Sequence, residues 1–312
     1  MDILIDIIVP VFGIVGLGYF AARTGWFPQD ANKGLSRFVF DFAIPAMLFR
    51  TMATTELPET VPWGYLISYF GGGYVAWVLG TLASIAVFRA RGAAPAIAGM
   101  TGAFSNTVLL GVPLVLTTYG DVATLPLFLI IAFHSWQLLS VVTIQAEAGI
   151  GAGDEMRRLP INVVKGLVRN PIILALVAGM GVNLAGLELP HVVDQLTATL
   201  GRAALPCAVF AMGASLAAYR IAGAIGEAAV GTTLKLGIHP VMVWVLATHV
   251  FTVDPLWRDV AVILAALPVG VNVYLMAQRY ESGVAPAATT ILVSTGLSVG
   301  TVGVVLWLLD VR

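Results

Sequence analysis

Two short stretches concentrate the chemistry of this chain. The first reads Phe104-Ser-Asn-Thr-Val-Leu-Leu-Gly-Val-Pro-Leu114 and the second Leu267-Pro-Val-Gly-Val-Asn-Val-Tyr274. Each sets an asparagine, a glycine and a proline inside an apolar run. Proline removes a backbone donor and clashes with the preceding turn, and glycine weakens a helix further. In hydrocarbon, the freed N–H and C=O groups are costly unless protein or a water-filled cavity satisfies them. The expectation is a pair of discontinuous helices whose half-helix N-termini face a ligand. Such termini carry about half a positive charge each, which suits a carboxylate, with Asn106 and Asn272 adding neutral amides. The candidate binding set is Ser105, Asn106, Thr107, Gly111, Pro113, Pro268, Gly270, Asn272 and Tyr274. Two ordinary proline kinks are the simpler account, and recurrence of the same trio in both halves of the chain weighs against it.

The elements that carry these stretches follow from composition. Of 312 residues, 59% are hydrophobic and 11% charged, against about a quarter charged in a soluble domain. Apolar runs of about 20 residues recur from end to end, each long enough to cross a bilayer as a helix. This is the pattern of an all-α, polytopic membrane protein. A net charge of −1 argues against a nucleic-acid partner, and the single cysteine, Cys207, excludes an internal disulfide framework. The first run, 3–22, lacks a basic leader and a cleavage site and reads as a membrane helix rather than a signal peptide.

Punctuation by Gly, Pro and charge predicts ten spans near 3–22, 34–52, 63–88, 95–119, 122–146, 167–186, 192–218, 230–251, 257–279 and 285–309. Basic residues are retained on the cytoplasmic side. Twelve of them (Arg23, Lys33, Arg37, Arg89, Arg91, Arg157, Arg158, Lys165, Arg169, Arg220, Lys235 and Arg279) follow odd-numbered spans, and three (Arg50, Arg258 and Arg312) lie on the other side. The expected topology has both termini outside. The halves, 1–150 and 167–312, flank a polar cytoplasmic linker at 151–166 and match in order. Pro10 and Pro28 correspond to Pro171 and Pro190, Phe42-Ala-Ile-Pro-Ala-Met47 to Cys207-Ala-Val-Phe-Ala-Met212, and Tyr119 to Tyr280. Five spans per half require the second half to enter from the opposite side, the inverted repeat that many secondary transporters use for alternating access.

Other polar residues are candidates for coupling or for lining a cavity. Asp41 is the acidic residue expected well inside a span; it could carry a proton, bind a cation, or pair with Arg37 one turn away. His134, with Ser135 and Gln137, could face the cavity or be a hydrogen-bonded buried histidine. Ser294, Thr295 and Ser298 could touch substrate or Na⁺, or join helices. Arg202 could clamp a carboxylate or snorkel to the interface. His239 and His249 read as structural, and Gly71-Gly-Gly73, Gly179 and Gly181 as close-packing positions. No Walker loop, catalytic triad, paired carboxylates or metal-ligand spacing is present, so neither an enzyme, a metal site nor a bound cofactor is expected.

The chain resembles the auxin efflux carrier family, its bacterial members and the plant PIN-type exporters, over essentially its full length. The resemblance rests on Ser105-Asn-Thr-Val-Leu-Leu-Gly-Val-Pro113, Leu267-Pro-Val-Gly-Val-Asn272 with Gln278-Arg-Tyr280, Val293-Ser-Thr-Gly-Leu-Ser298, Phe38-Val-Phe-Asp-Phe-Ala-Ile-Pro45 and Lys235-Leu-Gly-Ile-His-Pro240. It implies crossing, broken helices four and nine, a scaffold of spans 1, 2, 6 and 7, and a mobile transport domain of spans 3–5 and 8–10. It also implies elevator-type motion, often in a homodimer. Bacterial relatives are linked to small carboxylates such as malonate or malate. The chain departs from the plant exporters in lacking their long hydrophilic central loop, which argues against auxin as the physiological substrate. The expected activity is secondary or facilitative transport of a small mono- or dicarboxylate across a bacterial inner membrane, with H⁺ or Na⁺ as a coupling ion. Competing expectations are a sodium-coupled symporter of the bile-acid type and a ligand sensor that moves nothing.

Overall fold

The computed structural model describes residues 2–54, 62–151, 161, 164–165, 168–220 and 224–310. Most of the expected central linker lies outside the described residues. Among the described residues these α-helices follow in order: α1 (Asp2–Arg23), α2 (Gln29–Phe38), α3 (Ile44–Thr54), α4 (Trp63–Ala86), α5 (Ala94–Ala103), α6 (Val112–Tyr119), α7 (Thr124–Ile150), α8 (Pro171–Leu184), α9 (His191–Leu216), α10 (Ile225–Thr233), α11 (His239–Val245), α12 (Pro255–Ala266), α13 (Asn272–Arg279) and α14 (Val284–Leu308). No strand occurs among the described residues. Among the described residues, five helical stretches are long and apolar enough to cross a membrane: Trp63–Ala86, Thr107–Ile150, His191–Leu216, Ile225–Val250 and Val284–Leu308.

Local sequence accounts for the irregularities. Widened π-type turns span Val39–Ala43, Thr107–Gly111 and Leu234–Ile238. Each ends two residues before a proline, Pro45, Pro113 and Pro240 respectively. A proline ring clashes with the carbonyl four residues back and offers no N–H, so the preceding turn opens. Pro10 and Pro206 sit inside α1 and α9 without such a turn. A fourth π-type turn, Leu246–Val250, closes the stretch that follows α11. Two helix starts carry side-chain caps: the Asn170 side chain accepts from Ile172 N–H ahead of Pro171, and the Asp254 carboxylate accepts from Leu256 and Trp257 N–H ahead of Pro255.

Two packing groups emerge. In the first, α1 lies against α9, and α3 lies against α8 and α9. Main chains touch there: a Cβ built on Gly213 would stand 1.9 Å from the Val15 carbonyl oxygen, and one on Gly179 2.5 Å from that of Phe49. In the second, α4 lies against α5 and α11, α10 and α12 lie against α14, and α7 lies against α5. Gly80 and Gly102 bring α4 and α5 together, and Gly72 admits α11 at Val243. Close approach through small residues replaces the hydrophobic drive that lipid removes. Gly181 departs from expectation: it has open space around its Cα, so it is not a packing position.

Lys235 counts among the cytoplasmic basic residues by charge, although the predicted eighth span, 230–251, contains it; the structure buries it fully within a helical run that begins at Ile225. Asp41 is likewise not the most enclosed carboxylate. It is half-exposed, 4.0 Å from Arg37, whereas Glu147 and Asp259 are buried.

Candidate functional site

Both asparagine–glycine–proline stretches break their helices. After α5 the chain extends through Phe104, and after α12 through Leu267, which Pro268 excludes from helical geometry. The two breaks pair with each other. Ser105 and Val269 face across an antiparallel bridge, Gly270 N–H donates to the Phe104 carbonyl at 2.9 Å, and Asn106 N–H donates to the Pro268 carbonyl at 3.0 Å. Val269 N–H donates to Ser294 Oγ at 3.2 Å. Groups freed from helical bonding are thereby satisfied by protein, as a low-dielectric setting demands. The chain then re-enters helix at Thr107 and at Asn272, leaving two fresh N-termini beside the bridge.

A cavity of about 610 Å³ opens at this junction. Ser105, Asn106, Thr107, Gly270 and Asn272 line it, as do Ser135, Trp136 and Thr143 from α7. The opposite wall comes from the first packing group, with Phe40 and the start of α8. Its charged lining is Arg169 and Arg279; no carboxylate lines it among the described residues. Guanidinium groups, amide donors and helix N-termini are groups that suit anions, and guanidinium matches a carboxylate through two parallel hydrogen bonds. Asn106 is nearly fully buried, and its Nδ2 donates to Met212 Sδ of α9 at 3.2 Å.

A family model for membrane transport proteins matches residues 3–306. The chain belongs to the auxin efflux carrier family. Within that family, the "Putative malonate transporter" of Rhizobium meliloti (strain 1021) is 30% identical over 305 residues, which cover 97% of this chain and 95% of that protein. The "Uncharacterized transporter YfdV" of Escherichia coli (strain K12) is 23% identical over 302 residues, 91% of this chain and 92% of that one. This carrier is therefore a membrane transporter.

Other candidates fall outside the cavity lining. Gly111 and Pro113 are buried beneath the Thr107 turn, and a Cβ on Gly111 would meet Leu264 and Leu267 at 2.8 and 2.9 Å. Tyr274 packs edge-on against Tyr219 and accepts from Gln278. His134 is buried, with Nδ1 3.3 Å from Tyr69 Oη and its ring 4.5 Å from that of Phe104. Gln137 does not reach the lining, and Ser298 donates to the Thr295 carbonyl within α14. Arg202 is exposed and donates to Thr199, the arrangement of a snorkelling side chain. Asp41 stays beside Arg37 away from the lining.

Arg169 and Arg279 were invisible as site residues in sequence because both look like loop charges; only Gln278-Arg-Tyr280, part of the family pattern, hints at the second. The junction also yields a prediction. A Cβ on Gly270 would stand 2.8 Å from the Phe104 ring and 3.0 Å from the Ser105 carbonyl oxygen. Gly270→Ala therefore pushes the paired breaks apart, and substrate uptake into proteoliposomes should fall about tenfold or more, consistent with the cost of small misplacements in a site. Uptake at the unaltered rate would contradict this packing.

Proposed function

We propose that this carrier moves a small organic anion, a mono- or dicarboxylate of malonate size, by elevator-type alternating access. The observation that carries the reading is the cavity at the paired helix breaks, whose charged lining is Arg169 and Arg279. Two arginines favour a dianion over a monoanion, and the name of the Rhizobium relative points the same way.

In this reading ten crossings form two inverted five-span repeats, and α5/α6 and α12/α13 are the crossing broken helices. The first packing group is the static scaffold and the second the moving domain. The contact pattern supports that division, as does a cavity walled by both groups. The breaks would travel with the moving domain, carrying the anion past the stationary wall at Phe40 and α8. Arg169 and Arg279 both belong to the more basic side of the chain, so the cavity opens toward the cytoplasm, with the termini outside and the protein in a bacterial inner membrane. Homodimerisation through the scaffold rests on the family resemblance.

Counterflow tests the proposal. Purified protein in liposomes preloaded with unlabelled malonate should accumulate labelled malonate transiently, and excess acetate should compete less well than excess malonate or malate. Absence of counterflow for malonate, malate and acetate alike would overturn the assignment.

A further inference from the structure

Four titratable side chains outside the cavity lining are buried against one another within the second packing group. Lys235 Nζ donates to the main-chain carbonyl of Ala265 and lies 3.3 Å from His239 Nδ1. The His239 ring is 5.4 Å from that of Tyr69. Tyr69 Oη lies 3.3 Å from His134 Nδ1, and the His134 ring rests on Phe104. The row begins at the carboxyl end of α12 and finishes at the carboxyl end of α5, so it joins the two helix breaks.

Other charges are far from Lys235 or already occupied. The π-type turn that bears it packs against α4, α5, α10, α11, α12 and α14. Helices α5 and α14 contain no titratable side chain. On α4, Tyr69 and Tyr65 are buried, with Tyr65 donating to the Pro126 carbonyl, and Tyr74 is engaged with Trp77. On α10, Glu227 lies eight residues before Lys235 and lines a separate pocket with Phe88. On α12, Asp259 is paired with Arg258 at 2.7 Å, and α11 contributes only His239. No carboxylate forms an ion pair with Lys235 among the described residues.

A lone ammonium at membrane depth is costly and is a functional-site signal. Here the last carbonyls of α12 supply only the partial negative charge of a helix end. With Nδ1 of His239 facing Nζ, the histidine must accept there whenever the lysine is charged. Two cations 3.3 Å apart would repel strongly in a low dielectric, so the pair holds one exchangeable proton.

We infer that the Lys235–His239 pair is a proton-binding site, and that a proton bound there travels with the carboxylate; this rests on the transport reading above. The amine takes H⁺ from water on the loading side to become an ammonium, and returns it to water on the other side. An anion in the cavity stabilises that ammonium by Coulomb attraction through low-dielectric protein, since the row of side chains ends at Phe104, which lines the cavity. When the cavity is empty, release of the proton spares the group an uncompensated charge on its return. Each ligand then strengthens the other's binding, as linkage requires.

The test uses proteoliposomes filled with pyranine, with the membrane potential clamped by valinomycin and K⁺. Labelled malonate entering through the wild type should acidify the lumen, and an inside-alkaline gradient should raise its uptake several-fold. In Lys235→Met the ratio of uptake with the gradient to uptake without it should fall to one. An unaltered ratio in that variant, or wild-type malonate uptake that leaves pyranine unchanged, overturns the inference. Should Lys235→Met not fold, His239→Gln substitutes for it, and its gradient response should shift in pH; a response identical to wild type overturns the inference equally. A substrate-free measurement separates this idea from the transport assignment. In detergent, the Tm difference between wild type and the variant should change between about pH 6 and about pH 9, because a group that binds its proton differently in the folded and unfolded states makes stability pH-dependent. A constant difference counts against proton binding even if malonate proves not to be the substrate.

Discussion

Asn106→Ala should lower malonate counterflow about tenfold to a hundredfold, the consequence of removing a hydrogen bond to a charged group. Asn106 is the cavity-lining amide most completely enclosed, and it sits where the chain turns from the paired bridge into helix. Its backbone N–H already serves the Pro268 carbonyl, so the substitution leaves the bridge intact and removes only the side-chain amide. Asn272→Ala tests the symmetric position, the first residue of α13, which also lines the cavity. Expression and size-exclusion profile should match the wild type, because the Asn106 side chain donates to the weak acceptor Met212 Sδ. Wild-type counterflow in both variants would remove the helix junction as the binding site.

Gly213→Ala should lower the thermal stability of the purified protein, whereas Gly181→Ala should leave it equal or raise it. The opposite signs come from one methyl group in two surroundings. Alanine is favoured over glycine in a helix by about 1 kcal/mol, and at Gly181 nothing within 4 Å opposes that gain. At Gly213 the added Cβ meets the Val15 carbonyl oxygen at 1.9 Å and Tyr19 N at 3.0 Å. Both obstacles are main chain, so α1 and α9 must separate, and overpacking of this kind costs about 1–3 kcal/mol or more. A Cβ on Gly18 would stand 2.1 Å from the Phe210 carbonyl oxygen in the same interface, so the contact has no slack elsewhere. Thermal unfolding in detergent, followed by loss of monodisperse protein, reads both variants. Equal stability of Gly213→Ala and wild type would contradict the closeness of this pair.

Much of this architecture was legible in the residues. The helix breaks were readable because proline and glycine act on the chain locally: Pro268 excludes its predecessor from helix whatever surrounds it, and Pro113 widens the turn ahead of it. The repeated Asn, Gly and Pro signalled the same event in both halves, and the two events meet in space at Ser105 and Val269. The Gly179 contact was anticipated; that Gly181, two residues on, faces open space was not, because small residues look alike until their neighbours are known.

Charge was read less well, for a physical reason. Arg169 and Arg279 resemble ordinary loop charges, and Lys235 was counted with the cytoplasmic basic residues although the predicted eighth span contains it. A side chain's environment depends on what stands opposite: Lys235 meets His239 and the Ala265 carbonyl, with Tyr69 beyond His239. Asp41 shows the converse: of the roles its place in an apolar run left open, the structure puts it half-exposed, 4.0 Å from Arg37. By itself the sequence determined that the chain is a helical membrane carrier and where its helices must break, because apolar length and proline geometry are local properties. Which polar groups share a cavity, and which cation is buried behind the breaks, was decided only by tertiary packing, since burial and electrostatic partnership belong to pairs of surfaces that the chain brings together from distant positions.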